Sequence, residues 1–318
     1  MRSVAFVAEA QPSAFRFITV DETRLRYLDS GAGTPVVLLH GNGSMIEDFV
    51  SSGIMDSPGY RFIAFDRPGF GYSERPRDRV WDPSEQASLV LRAVTQLGID
   101  RPIVVGHSWG TLVALAMALE SPRDVTGLVL LSGYYYPISR AEIGVPPGAF
   151  PFTRVVLHHT VVPFVRRLMA PDTLRRVFAP CEVPERFKRT YLLPLAMRTS
   201  QMRAVDEEAA MLLDVTKDYS RFYEKVSVPV HLIAGSDDQI VDTEEHSARL
   251  HRELGGSDFR RIPGCGHMIH HAAPDEVLAA IAELGRARAV KRLARQATAS
   301  AASPRRNWLY IGESLTAA

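Results

Sequence analysis

The chain has 318 residues, 46% hydrophobic and 23% charged, with a formal net charge of +1. Such a composition suits a globular protein with one sizeable core and an insertion, and the near-neutral balance argues against a dedicated nucleic-acid or polyanion binder. The two cysteines, Cys181 and Cys265, offer neither a disulfide framework nor the C-x-x-C spacing of a zinc site, so a reducing cytosol is the expected compartment.

Met1 to Ala10 imitates a signal peptide weakly, because its apolar part is short and broken by Glu9. No run approaches 18 apolar residues, so no membrane span is expected. Residues 15–20 and 24–29 read as two strands of a hairpin joined at Asp21-Glu22-Thr23. Val36 to His40 is a continuous apolar run of the kind found in strands buried on both faces. His40-Gly41-Asn42-Gly43 follows, then Ser44-Met45-Ile46-Glu47, a capping-box pattern that predicts a helix from about Met45. A dinucleotide fingerprint competes here: strand, Gly41-x-Gly43, helix, and Asp66 about 20 residues on. Against it, Ile46 stands at the third glycine position and a hairpin precedes the strand.

Residues 61–66 form the next predicted strand, and Asp82-Pro83 opens a helix ending near Gly98. Then comes Ile103-Val104-Val105-Gly106-His107-Ser108-Trp109-Gly110-Thr111-Leu112. A β-branched run ends at Gly106 and an apolar helical run begins at Trp109, leaving Ser108 in the bend. Gly106-His107-Ser108-Trp109-Gly110 matches G-x-S-x-G, in which a sharp strand-to-helix turn strains the serine and exposes its hydroxyl. Glycines stand two residues either side because side chains there would collide where the backbones meet.

At these residues the chain resembles the α/β-hydrolase superfamily, over roughly residues 14–285. The resemblance implies an α/β fold: a mostly parallel eight-stranded sheet with helices on both faces and an inserted helical cap. Residues 1–133 and 224–285 would form the core, 134–223 the cap and 286–318 a basic, low-complexity tail. Within the insertion the strand–helix alternation stops and prolines crowd in. Its most apolar run, Val155 to Val165, reads as cap core, with a lipid- or acyl-facing surface as the alternative. Family motifs then supply candidate roles: Ser108 as nucleophile and His267, in Pro263-Gly264-Cys265-Gly266-His267, as base. The acid, three residues after Gly235, would be Asp238, with Asp237 and Asp242 as fallbacks. His270 and His271 read as rim residues. Backbone N–H groups of Asn42 and Trp109 would hold the oxyanion.

The order Ser108, Asp238, His267 is the order this scaffold uses. A serine hydroxyl needs a base within reach, held in one tautomer by a third group. The expected reaction is hydrolysis of a carboxylic ester with an apolar acyl or alcohol part, through an acyl-enzyme, on a small-molecule substrate and with no metal or organic cofactor. A β-diketone C–C bond, a lactone, a prolyl peptide or perhydrolysis would be alternatives on the same triad. Asp206-Glu207-Glu208 are the acids that could read a peptide amine. Relatives with an aspartate at the elbow, haloalkane dehalogenases and epoxide hydrolases, form an alkyl ester that Ser108 cannot. A ligand-binding protein without turnover is the reading from another class, and oligomeric state is not legible.

Overall fold

A computed structural model describes residues 15–137 and 172–302; of 291–302 only the helical backbone is described. Eight strands form one sheet in the order β1-β2-β4-β3-β5-β6-β7-β8. The strands are β1 Phe15–Val20, β2 Thr23–Gly31, β3 Thr34–Leu39, β4 Tyr60–Phe65, β5 Ile103–His107, β6 Gly127–Leu131, β7 Val230–Gly235 and β8 Asp258–Ile262. β1 and β2 make an antiparallel hairpin and β2 runs antiparallel to β4, whereas β3 to β8 are parallel.

The central strands read as unbroken apolar runs because both faces are covered. Val37 and Leu39 of β3, Val104 of β5 and Leu128 and Leu130 of β6 enter one core. There they meet helices α2 (Pro83–Gln96) and α3 (Gly110–Glu120). Val36, Leu38, Ile103, Val105 and Val129, one residue out of phase, enter the other. This second core is closed by helix α1 (Ile46–Ser52) and by Val277, Ile281 and Leu284 of the last helix. Helix α3 is buried almost throughout, as its all-round apolar sequence requires.

The chain passes from β3 outward to β4 and returns to β5 on the other side of β3, so a crevice opens beyond the carboxyl ends of β3 and β5. Open α/β sheets bind ligands at such switch points. Between β6 and β7 the described chain is helical at 172–178, Glu185–Thr190, Leu193–Ala196 and Thr199–Tyr219, and these segments lie over the crevice. The predicted apolar run 155–165 lies outside the described residues.

One local expectation is corrected. The Ser44–Glu47 capping box does not form: the helix starts at Ile46 without a side-chain cap. Glu47 is drawn instead to the buried Arg26 guanidinium at 2.6 Å, and Ser44 Oγ donates to Asp48. The last helix runs unbroken from Pro274 to Ala302 and takes in the first part of the basic, low-complexity tail. Alanine's high helix propensity accounts for that. Among the described residues no helix is long and apolar enough to cross a membrane.

Candidate active site

Ser108 sits between β5 and α3 with φ +50°, the left-handed region that β-carbon sterics disfavour. The flanking glycines are explained by contact. A Cβ on Gly106 would lie 2.5 Å from the Gly110 carbonyl oxygen, and one on Gly110 would lie 2.2 Å from that of Leu39. No other residue lets α3 approach β3 and β5 this closely. The Ser108 N–H donates to Leu131 O at 2.9 Å, and Thr111 Oγ1 donates to Ser108 O, which fixes the elbow from both neighbours.

Pairing of β3 with β5 brings the loop after β3 against the serine. A Cβ on Gly41 would stand 3.1 Å from Ser108 Cβ. Residues 41–44 form a turn closed by the Ser44 N–H to Gly41 O, with Gly43 at φ +77°, a position that needs glycine. His40 supports this turn. It accepts the Arg67 N–H at Nε2, so its Nδ1 carries the proton that reaches Gly41 O at 2.8 Å. Burial and the Arg67 charge push His40 well below the ordinary imidazole value, consistent with this neutral tautomer. Among the described residues neither the Asn42 nor the Trp109 backbone N–H has a hydrogen-bond partner.

The loops after β7 and β8 are pinned together: the Asp237 N–H donates to Cys265 O and the Gly264 N–H to Ser236 Oγ. This places His267 Nδ1 2.9 Å from Asp238 Oδ2, with both side chains buried. Asp238 Oδ1 accepts the Ile240 and Val241 N–H groups, so the carboxylate cannot swing away. Of the fallback acids, Asp237 is exposed, and Asp242 caps the turn at Glu244 and Glu245. Ser108 and His267 line the same cavity of about 430 Å³, although no hydrogen bond joins them among the described residues.

Asp48 and His107 line that cavity and are backed by two further histidines. His270 and His271, expected at the rim, are turned inward, and each donates Nε2–H to Asp48 Oδ1, at 3.0 and 2.8 Å. Burial alone would raise the Asp48 carboxyl, but these two imidazoles hold it well below the carboxylate range. His107 lies between His267 and His270, with ring centroids 4.9 and 4.5 Å away. Its Nε2–H donates to His267 O, and burial, reinforced by His270 and His267, keeps it neutral. The competing dinucleotide reading fails at Asp66, whose carboxylate is fully buried on Arg26 and the Ile46 and Tyr72 N–H groups. No ribose can reach it.

The acids of the peptide-amine reading are also engaged. Glu208 is fully buried in a bidentate pair with Arg67, and Glu207 pairs with Arg75.

A family model described as the alpha/beta hydrolase fold matches residues 34–274. Haloalkane dehalogenase 2 of Mycobacterium tuberculosis is 26% identical over 294 residues, 88% of this chain and 99% of that protein. The 2-hydroxymuconate semialdehyde hydrolase of Pseudomonas sp. (strain CF600) is 33% identical over 133 residues, 40% of this chain and 47% of that protein. Among solved structures, the esterase of Exiguobacterium antarcticum superposes with a TM-score of 0.68 at 24% identity, over 85% of this chain and 98% of that one, a likeness of fold alone. The family match, the eight-stranded sheet and the elbow agree: the chain belongs to the α/β-hydrolase superfamily.

Proposed function

We propose that the protein is a serine hydrolase that cleaves a carboxylic ester with an apolar acyl or alcohol part, through an acyl-enzyme on Ser108. The observation that carries this reading is one cavity holding a strained elbow serine and a histidine oriented by a buried carboxylate at 2.9 Å. His267 takes the Ser108 proton as the hydroxyl attacks the carbonyl, and returns it to the leaving alcohol. Asp238 holds the proton of Nδ1, so Nε2 is the free base, and it stabilises the imidazolium that forms. The Asn42 and Trp109 N–H groups hold the developing oxyanion, and the N-terminus of α3 favours negative charge there. Water, deprotonated by the same imidazole, then releases the acid.

Leu174, Val177, Phe178, Phe187, Met197 and Met268 line the cavity, which supports an apolar substrate part. The dehalogenase relative does not transfer its reaction. Displacement of a halide by Ser108 would leave an alkyl ether, with no carbonyl for water to attack. The peptide-amine reading is weakened because Glu207 and Glu208 are ion-paired and neither lines the cavity. Cleavage of a C–C bond in a β-diketone is the second reading, favoured by the similarity to 2-hydroxymuconate semialdehyde hydrolase.

The test is a series of p-nitrophenyl esters of increasing acyl length, run beside a lactone, a β-diketone and a prolyl amide. Ester turnover that outpaces the others and vanishes in Ser108→Ala supports the proposal. Faster diketone turnover moves the assignment to the second reading. Silence of wild type toward all substrates and toward a fluorophosphonate makes the protein a binder.

A further inference from the structure

We infer that Gln201, on the inserted helix Thr199–Tyr219, is a positioning residue for the oxyanion loop, so that docking of this helix and assembly of the oxyanion pocket are one event. The inference rests on the serine-hydrolase reading and concerns the same site.

The turn 41–44 lines the cavity, and its Gly43 and Ser44 carbonyls are met by the insertion. Gly43 O accepts from Tyr191 Oη at 2.8 Å and from Gln201 Nε2 at 3.2 Å, and Ser44 O accepts from Gln201 Nε2 at 3.4 Å. Asn42 Nδ2 donates to Val205 O, one turn further along the same helix. Gln201 is completely buried, and its other end, Oε1, accepts the Gly71 N–H at 3.0 Å. An N–H on one side and carbonyls on the other leave the carboxamide only one orientation. One side chain therefore ties three segments: the oxyanion loop, the loop after β4 and the inserted helix.

A second anchor repeats the arrangement two turns on. Glu208 pairs with Arg67, whose Nε donates to His40 O at the start of the oxyanion loop. Gln201, Ala204, Glu208, Leu212 and Val215 are the buried face of this helix. The loop is thus held at both ends by one rigid element, which acts as its fixed outer wall. Displacing the helix would release the Gly43 carbonyl and with it the turn that aims the Asn42 N–H. Small misplacement of an oxyanion donor lowers turnover without loosening the bound substrate.

The test compares wild type with Gln201→Met, which keeps length but loses all three hydrogen bonds, and Gln201→Glu, which keeps the acceptor for Gly71 but turns an oxygen on the Gly43 and Ser44 carbonyls. Tyr191→Phe removes one donor to Gly43 and carries the test if Gln201→Met does not fold. Leu212→Ala, a cavity in the same helix far from the loop, is the control for stability alone. Steady-state kinetics on p-nitrophenyl butyrate, the affinity of a trifluoromethyl ketone of matching length and the thermal midpoint are measured for each. Gln201→Met should lower kcat and ketone affinity in parallel by about 10- to 100-fold, with KM within about threefold. Tyr191→Phe should move both the same way by less, and Gln201→Glu at least as far as Gln201→Met, because its buried carboxylate faces the Gly43 and Ser44 carbonyls. Leu212→Ala should lower the midpoint with kcat within about twofold. The inference is overturned if Gln201→Met retains kcat and ketone affinity within about twofold, or if its losses match those of Leu212→Ala at equal loss of stability. Absence of wild-type turnover and of Ser108 labelling overturns it together with the hydrolase reading, whereas an active wild type whose turnover Gln201→Met leaves unchanged overturns it alone.

Discussion

Ser108 holds a backbone conformation that stability alone would not choose. A non-glycine residue at φ +50° carries about 1 kcal/mol of strain, tolerated because the turn aims the hydroxyl into the cavity. Ser108→Gly should therefore be about 1 kcal/mol more stable than Ser108→Ala in urea unfolding, with both inactive; equal or lower stability would remove the strain argument. The acids near β7 separate in the same way. Asp238→Asn should lower kcat by about 10³- to 10⁴-fold with little change in KM, since the imidazole loses its orientation. Asp237→Asn and Asp242→Asn should leave kcat nearly unchanged, because one is exposed and the other serves a turn. If Asp237→Asn abolishes turnover instead, the acid is misassigned.

Among the elements, the inserted helix is fastened to the core by charge as well as by apolar contact. Removing Glu208 leaves the Arg67 guanidinium fully buried without its counter-ion, so Glu208→Ala should destabilise the protein by about 3–5 kcal/mol. Glu207→Ala should cost less than Glu208→Ala, because the Glu207 carboxylate is 43% exposed and solvent screens the pair, although the Arg75 guanidinium it leaves is buried. Comparable losses from the two would mean that burial does not set the strength of the clasp. The sheet and the elbow were legible because their signals are local: apolar runs for strands buried on both faces, and glycines flanking a serine. The clasp was not. Gln201 and Glu208 sit in a helix whose acidic run looks solvent-facing, and their partners Gly43, Gly71 and Arg67 are separated from them by more than a hundred residues. His270 and His271 were misjudged for the same reason, since Asp48 lies 222 positions from the first of them. The capping box failed because Arg26 competes for Glu47, a contact no local pattern encodes.

Over the whole molecule, buried imidazoles make stability depend on pH. His40 and His107 are held well below the ordinary value of 6.5, chiefly by burial, and His271 is lowered for the same first reason. Below pH 6.5 the unfolded chain binds protons at these positions that the folded chain refuses. Stability is then lost as pH falls, by at most about 1.4 kcal/mol per pH unit for each group. Asp66 acts oppositely. Burial, only partly offset by Arg26, raises its carboxyl to about 6, so its contribution grows as pH drops from there towards 3.8. Asp48, held low by its histidines after burial is overcome, resists acid until the unfolded carboxylate protonates near 3.8. Urea unfolding should show stability falling from pH 7 to 6 and continuing to fall below 6, because Asp66 offsets only about one of the imidazoles. A flat or rising stability from pH 7 to 6 would show that these imidazoles are not neutral in the fold.

The proposed chemistry converges on one covalent bond. Mass spectrometry of the acid-quenched reaction with p-nitrophenyl butyrate should find a butyryl group on the peptide containing Ser108. It should form as fast as the first p-nitrophenol is released and be absent from Ser108→Ala. Turnover that persists in Ser108→Ala, or that proceeds with the butyryl group on another residue, would contradict the account.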